Sequence, residues 1–196
     1  MNPKKLTASV ILSFTVGILL ILLSPEDRVL GPVLKLVYLH GALIITGLFL
    51  FTAVGLLSLT SLVKNNSGFS LLFAIEKTAI VFWVAATIAG IISSQLAWGG
   101  IFWNEPRLQA TIIIFLISIS IYLISSASEN PRMISLFGIG LALSVWWLMI
   151  RAGMIMHPDN PFSVSESSIR IFFAIITLVF LIASILTVRW ITKKGM

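Results

Sequence analysis

Six apolar runs, each about 18 residues or longer, dominate this sequence. A run of that length crosses the roughly 30 Å hydrocarbon core of a bilayer as a helix. In lipid every backbone N–H and C=O must find its partner within the protein, which leaves helices and closed barrels as the spanning structures. The alternating apolar–polar strands of a barrel are absent from the sequence. The chain therefore reads as all-α, an integral membrane bundle of six transmembrane helices forming a single domain over residues 1–196. The predicted spans are Leu6 to Leu23, Val33 to Val63, Leu71 to Leu96, Leu108 to Ala127, Met133 to Met154 and Ser167 to Val188. The second is longer than the bilayer requires, so it tilts or projects at one end. Pro25 with Pro32, Asn65-Asn66-Ser67-Gly68, Asn130-Pro131 and Pro158 with Pro161 supply the breakers between spans.

Composition excludes the soluble alternative. Hydrophobic residues make up 58% and charged residues 10% of the chain, with a mean hydropathy of +1.08, against about 25% charged residues in soluble domains. Cysteine is absent, which excludes disulfides, thiolate zinc sites, iron–sulfur clusters and thiol catalysis. The first run follows Lys4 and Lys5 as the core of a signal peptide would. Leu23-Ser24-Pro25-Glu26-Asp27 lacks the small-x-small cleavage pattern, so the run is expected to be a retained helix.

The net charge of +6 is a topology signal, not a nucleic-acid surface. Six spans put both termini on one side. That side receives Lys4, Lys5, Lys64, Lys77, Arg132, Arg189, Lys193 and Lys194. The other receives only Arg28, Lys35, Arg107, Arg151 and Arg170. By the positive-inside rule the first side is cytoplasmic, and the expected location is the cell membrane, multi-pass, with both termini inside.

The two histidines of the chain fall on the opposite, outer side. His40 lies in "VYLHGAL", about two turns inside the second span, and His157 in "MIMHPDNPF", just past the fifth. The turn "QLAWGGIFWNEPRLQAT" is on the same side. Each histidine alone reads equally well as a hydrogen-bonded structural residue. Two imidazoles at one depth beside an aromatic turn favour metal ligation. Zinc wants three or four ligands, and no carboxylate or thiol sits at ligand spacing. Copper could draw on Met154 and Met156. Haem fits better, since it takes one axial ligand on each face and wants aromatic walls. Its propionates need cations, and Arg107 and Arg151 are on that side; both also read as interfacial anchors. No catalytic constellation stands out, so a carrier is expected over a turnover enzyme. The glycines of "FGIGLAL" read as helix packing. Glu76 and Lys77, at the cytoplasmic start of the third span, read as bundle pairs or interface residues.

The turn Trp98-Gly99-Gly100-Ile101-Phe102-Trp103-Asn104-Glu105-Pro106-Arg107-Leu108 resembles the tryptophan-rich WWD signature of haem-handling proteins of cytochrome c maturation, above all the CcmC type. Members commonly read W-G-x-x-W-x-W-[DE]-x-R-L-T. "VYLHGAL" is similar to the family's histidine motif on the second span, "FAIEKTAIVF" to the segment opening the third, and "MIRAGMIMHP" to the histidine block after the fifth. The resemblance implies that His40 and His157 hold one haem b axially. It implies a platform of Trp98, Phe102, Trp103, Glu105 and Arg107. The implied partners are a periplasmic haem chaperone of the CcmE type or an apocytochrome, with ABC-type transporter subunits.

This chain departs from the pattern in several places. A tryptophan after Asn104 is missing, Ile101 and Phe102 take aromatic positions of the motif, and Ala152 and Gly153 replace paired tryptophans before the second histidine. Trp146 and Trp147 stand earlier in the span. A thinner platform suits haem ligation better than haem delivery. That leaves a second reading, a haem b electron-transfer subunit of a respiratory complex, and a third, a transporter or assembly subunit without a cofactor. An ordinary aromatic belt would explain the tryptophans but not the Asn-Glu-Pro-Arg sequence or the matched histidines.

Overall fold

A computed structural model describes residues 2–64, 69–153 and 166–194. It is all-α: α1 (Pro3–Leu23), α2 (Leu34–Lys64), α3 (Phe69–Trp98), α4 (Pro106–Ala127), α5 (Pro131–Arg151) and α6 (Ser167–Lys194). All six are long and apolar enough to cross a membrane, and the chain is a multi-pass membrane protein. Among the described residues no strand forms.

Local chemistry sets the helix ends. Three helices begin on a proline, Pro3, Pro106 and Pro131. The first turn leaves its N–H groups without intrahelical partners, so a residue lacking one loses nothing there. Asn2 and Asn130 cap two of these starts by accepting from backbone amides. Pro106 and Pro131 thus open helices, and the spans begin two residues earlier than the apolar runs do. The fifth ends earlier than expected. Ala152 takes an extended conformation (φ −67°, ψ 106°), so α5 stops at Arg151 and not at Met154, which lies outside the described residues. At its other end α6 runs to Lys194, with Lys193 and Lys194 in its last turn, where cations complement the helix dipole. At 31 and 30 residues, α2 and α3 are each about 45 Å long and exceed the apolar thickness of a bilayer.

α2 is the hub. It packs most extensively on α3, then α5 and α6. α3 also packs on α4, and α4 on α5, so α2, α3, α4 and α5 close a ring, while α1 lies against α6. Small residues bring the backbones together: a methyl on Gly55 would meet Cβ of Ala142, and one on Gly138 would meet the Ser58 side chain. Gly138 of "FGIGLAL" is therefore a packing residue, whereas Gly140 has nothing within 4 Å of such a methyl. The core centres on Trp83, fully buried, edge-on to Phe51 at 5.6 Å between ring centroids. Its Nε1 donates to the Thr111 carbonyl at 2.9 Å, tying α3 to α4. Phe14 meets Phe180 edge-on at 6.1 Å, and Trp190 donates to Thr7 Oγ1 at 3.0 Å; these contacts seat α1 on α6.

Candidate functional site

A cleft opens where the N-terminal part of α2, the C-terminal part of α3, the tryptophan turn, the start of α4 and the end of α5 converge. It encloses about 100 Å³ and is lined by His40 and Ile44 of α2, Thr87, Gly90, Ile91, Ser94 and Trp98 of α3, Phe102 and Glu105 of the turn, Arg107, Leu108 and Thr111 of α4, and Met149 of α5. Apolar walls carrying a few convergent polar groups are what a small-molecule site is made of.

His40 is the seventh residue of α2, roughly 9 Å along the helix from its start. Its Nδ1 lies 2.8 Å from the carbonyl oxygen of Ala86. A carbonyl can only accept, so Nδ1 carries the proton and donates. In the neutral ring the lone pair is then on Nε2. A backbone carbonyl that holds one imidazole nitrogen fixes the tautomer and orients the ring, as it does for histidines that bind metals.

The tryptophan turn is held by its own backbone. α3 ends at Trp98, and Gly99 follows with φ +72°, the left-handed conformation that glycine adopts without strain. Its amide donates to the Gln95 carbonyl at 3.1 Å, closing the helix end. The sequence offers two glycines for this bend, and the positive φ belongs to Gly99. Ser94 Oγ then donates to the Gly100 carbonyl at 3.0 Å, the Glu105 amide to the Phe102 carbonyl at 2.9 Å, and Gln109 Nε2 to the Trp103 carbonyl at 3.1 Å. These bonds fix the path of the turn and set Trp98 and Phe102, each 37% exposed, in the cleft wall.

Polar groups cluster beside these aromatics. Glu105 occupies the N-cap position of α4 without a capping side-chain bond, is buried, and lines the cleft. Arg107, in the first turn of α4, has its Nε buried with no hydrogen-bond partner. A cation in the first turn opposes the helix dipole, and an unpartnered buried guanidinium nitrogen costs free energy. Neither serves the helix. An anion in the cleft would satisfy both, meeting the guanidinium and the positive end of α4 together.

Five residues singled out from the sequence, His40, Trp98, Phe102, Glu105 and Arg107, thus line one cleft. Two others lie apart from its lining. Trp103 is 59% exposed, although its carbonyl is held by Gln109. Arg151 is the exposed last residue of α5, where a cation complements the helix C-terminus. His157, with Met154 and Met156, lies outside the described residues. Reasoning from the sequence missed Thr87, Gly90, Ser94, Thr111 and Met149 as lining residues, and Ala86 as the partner of His40. Serines, threonines and lone glycines inside a span carry no signal that separates lining from packing.

No family model matches the chain. Over 110 residues, 56% of its length, it is 28% identical to the heme exporter protein C of Paracoccus denitrificans (strain Pd 1222), and this match takes in 46% of that protein, so the chain spans about half the length of the relative it resembles.

Proposed function

We propose that this chain is a haem-handling membrane protein of cytochrome c maturation, a carrier that holds haem as cargo in the cleft and passes it on. The bond from His40 Nδ1 to the Ala86 carbonyl carries the reading, because it prepares Nε2 as an axial ligand in a cleft that also offers two aromatic faces and an arginine whose buried Nε has no partner. Similarity to a protein named as a haem exporter supports the same conclusion.

In this reading the cargo is haem b, and His157 supplies the second axial nitrogen, as the sequence resemblance implies. Trp98 and Phe102 flank the ring, and Arg107 receives a propionate. The enclosed space of about 100 Å³ is below the roughly 300–1,000 Å³ of a pocket that buries a drug-sized ligand. These residues therefore grip part of a porphyrin and leave much of it accessible, which suits a holder that must release its cargo. The eight basic residues lie at the helix ends opposite the cleft, which supports a cleft on the outer face of the cell membrane with both termini inside. An extracytoplasmic haem chaperone or apocytochrome would take the haem there, with ABC-type transporter subunits as partners. The whole chain acts as one six-helix domain.

An optical spectrum of the purified protein, oxidised and reduced, tests the proposal. A Soret band with the sharp visible bands of a six-coordinate haem is expected, together with transfer to an apo-acceptor on mixing. A protein without Soret absorbance, even after reconstitution with haemin, would sink the reading. Fast reversible reduction by a quinol, without transfer, would make it an electron-transfer subunit instead.

The Arg107 guanidinium gives a second expected result. Arg107→Lys keeps the charge but loses the planar fork that a carboxylate meets with two bonds. Arg107→Lys and Arg107→Ala are both expected to weaken haemin binding by about 1.5–3 kcal/mol, or roughly 10- to 150-fold. Arg170, on α6, already bonds Ser167 Oγ at 3.2 Å, and Arg170→Lys should leave affinity unchanged. Haemin titration of the three variants decides between propionate recognition and plain anchoring, which predicts equal affinities.

A further inference from the structure

We infer that α3 carries a slot for the imidazole of His40, in which the missing side chain of Gly90 and the carbonyl of Ala86 together set the angle and tautomer of the ring, making Gly90 a positioning residue for ligation. The inference rests on the haem-handling reading for its consequence, though not for its geometry.

The two elements of the slot belong to one helical turn. In an α-helix the Ala86 carbonyl is also the acceptor for the amide four residues on, that of Gly90. The carbonyl has a second lone pair, and His40 Nδ1 uses it at 2.8 Å. Cα–Cβ bonds in a helix tilt toward its N-terminus, so a side chain at position 90 would lie back over the space beside that carbonyl. The ring of His40 fills this space. A methyl on Gly90 would come within 2.7 Å of Cε1 and 2.8 Å of Nδ1, but 3.5 Å of Nε2. The clash is thus confined to the edge of the ring that faces α3, and the Nε2 edge is in ordinary contact. Neighbouring positions cannot absorb the displacement. Ala86 is fully buried and Ala89 nearly so, and α2 packs on α3 more extensively than any other pair of helices. The ring must therefore rotate out of the slot, breaking the bond to Ala86 and re-aiming Nε2.

This assigns Gly90 a role that its backbone does not demand. Its φ is not positive, so conformational freedom is not the reason for glycine here; the imidazole is. Replacement of the outer partner of a metal-binding histidine commonly lowers metal affinity about 10- to 100-fold, and Gly90→Ala is expected to fall in that range.

Three measurements on the full-length chain in lipid nanodiscs test the slot. In the haem-free protein, ¹⁵N NMR of histidine should show His40 protonated at Nδ1, with that signature lost in Gly90→Ala; an Nε2-protonated His40 in the parent protein would overturn the inference whatever the cargo. Haemin titration should show the 10- to 100-fold loss and a shift from six- to five-coordinate spectra, with unchanged elution and thermal midpoint. Equal affinity and spectrum in Gly90→Ala would overturn the slot while leaving the haem reading intact, and a parent protein that binds no haemin would overturn the haem reading alone. The third guards against misfolding. In His40→Gly the slot is vacant, so a methyl at position 90 is harmless. Free imidazole should restore the six-coordinate spectrum in His40→Gly but not in His40→Gly/Gly90→Ala. Rescue of both to the same extent would show that Gly90 does not shape the site.

Discussion

His40→Ala is expected to lower haemin affinity by at least about 100-fold, because loss of an outer partner of a metal-bound histidine already costs about 10- to 100-fold and this substitution removes the ligating nitrogen itself. The fold should tolerate the change. His40 is only half-buried and lines the cleft, and the bond it gives up is to a carbonyl that the helix also satisfies. Little besides ligation should change. His40→Gln separates the two contributions, since its amide can still donate to Ala86 but offers no imidazole nitrogen to iron. Retained stability with lost Soret absorbance in both variants is the expected pattern. Ordinary haemin affinity in His40→Ala would place the cargo elsewhere and leave His40 as a hydrogen-bonded structural residue.

Much of the scaffold is legible in the sequence because it follows from rules with short range. Length and apolarity give six spans, since the bilayer imposes one length scale on every crossing. Proline and asparagine mark the starts of α4 and α5, and Gly99 marks the end of α3. The alternation of short connections brings the ends of α2, α3, α4 and α5 that carry His40, Trp98, Arg107 and Met149 into one region. That is why several residues picked for their chemistry line a common cleft. Ring direction is less legible. Trp98 and Trp103 are five apart in a turn, and nothing in the sequence separates the one that faces the cleft from the one that does not. Arg107 and Arg151 look alike as outer cations, but one begins a helix and the other ends one. The slot on α3 is invisible to pattern reading altogether. It consists of a carbonyl, which every residue has, and of an absent side chain, whose meaning depends on which residue of α2 lies across from it.

The second large effect belongs to a residue that never touches the cleft. Trp83→Ala is expected to destabilise the bundle by about 3–5 kcal/mol, the usual cost of truncating a fully buried aromatic. Trp83 is 0% exposed, packs edge-on to Phe51, and lies so close to Gly47 that a methyl there would approach its ring to 2.9 Å. The cavity left behind cannot be closed by α2, which is held on its other faces by α5 and α6. The indole also donates to the Thr111 carbonyl, and Thr111 Oγ1 donates to the Arg107 carbonyl at 2.6 Å. Trp83 therefore anchors the first turn of α4 through one intervening residue, and its loss should loosen Arg107 as well as the core. Trp83→Phe distinguishes these effects. It keeps most of the ring volume and drops the N–H, while the Thr111 carbonyl keeps its bond within α4, so it should cost about 0.5–1.5 kcal/mol, the net worth of one hydrogen bond, and should lower haemin affinity less than Arg107→Ala does. Thermal unfolding in nanodiscs, read beside haemin titration, resolves both. Full stability in Trp83→Ala would mean that the α2–α3–α4 junction is not the core of this bundle, and unchanged affinity despite lost stability would cut the link from the core to Arg107.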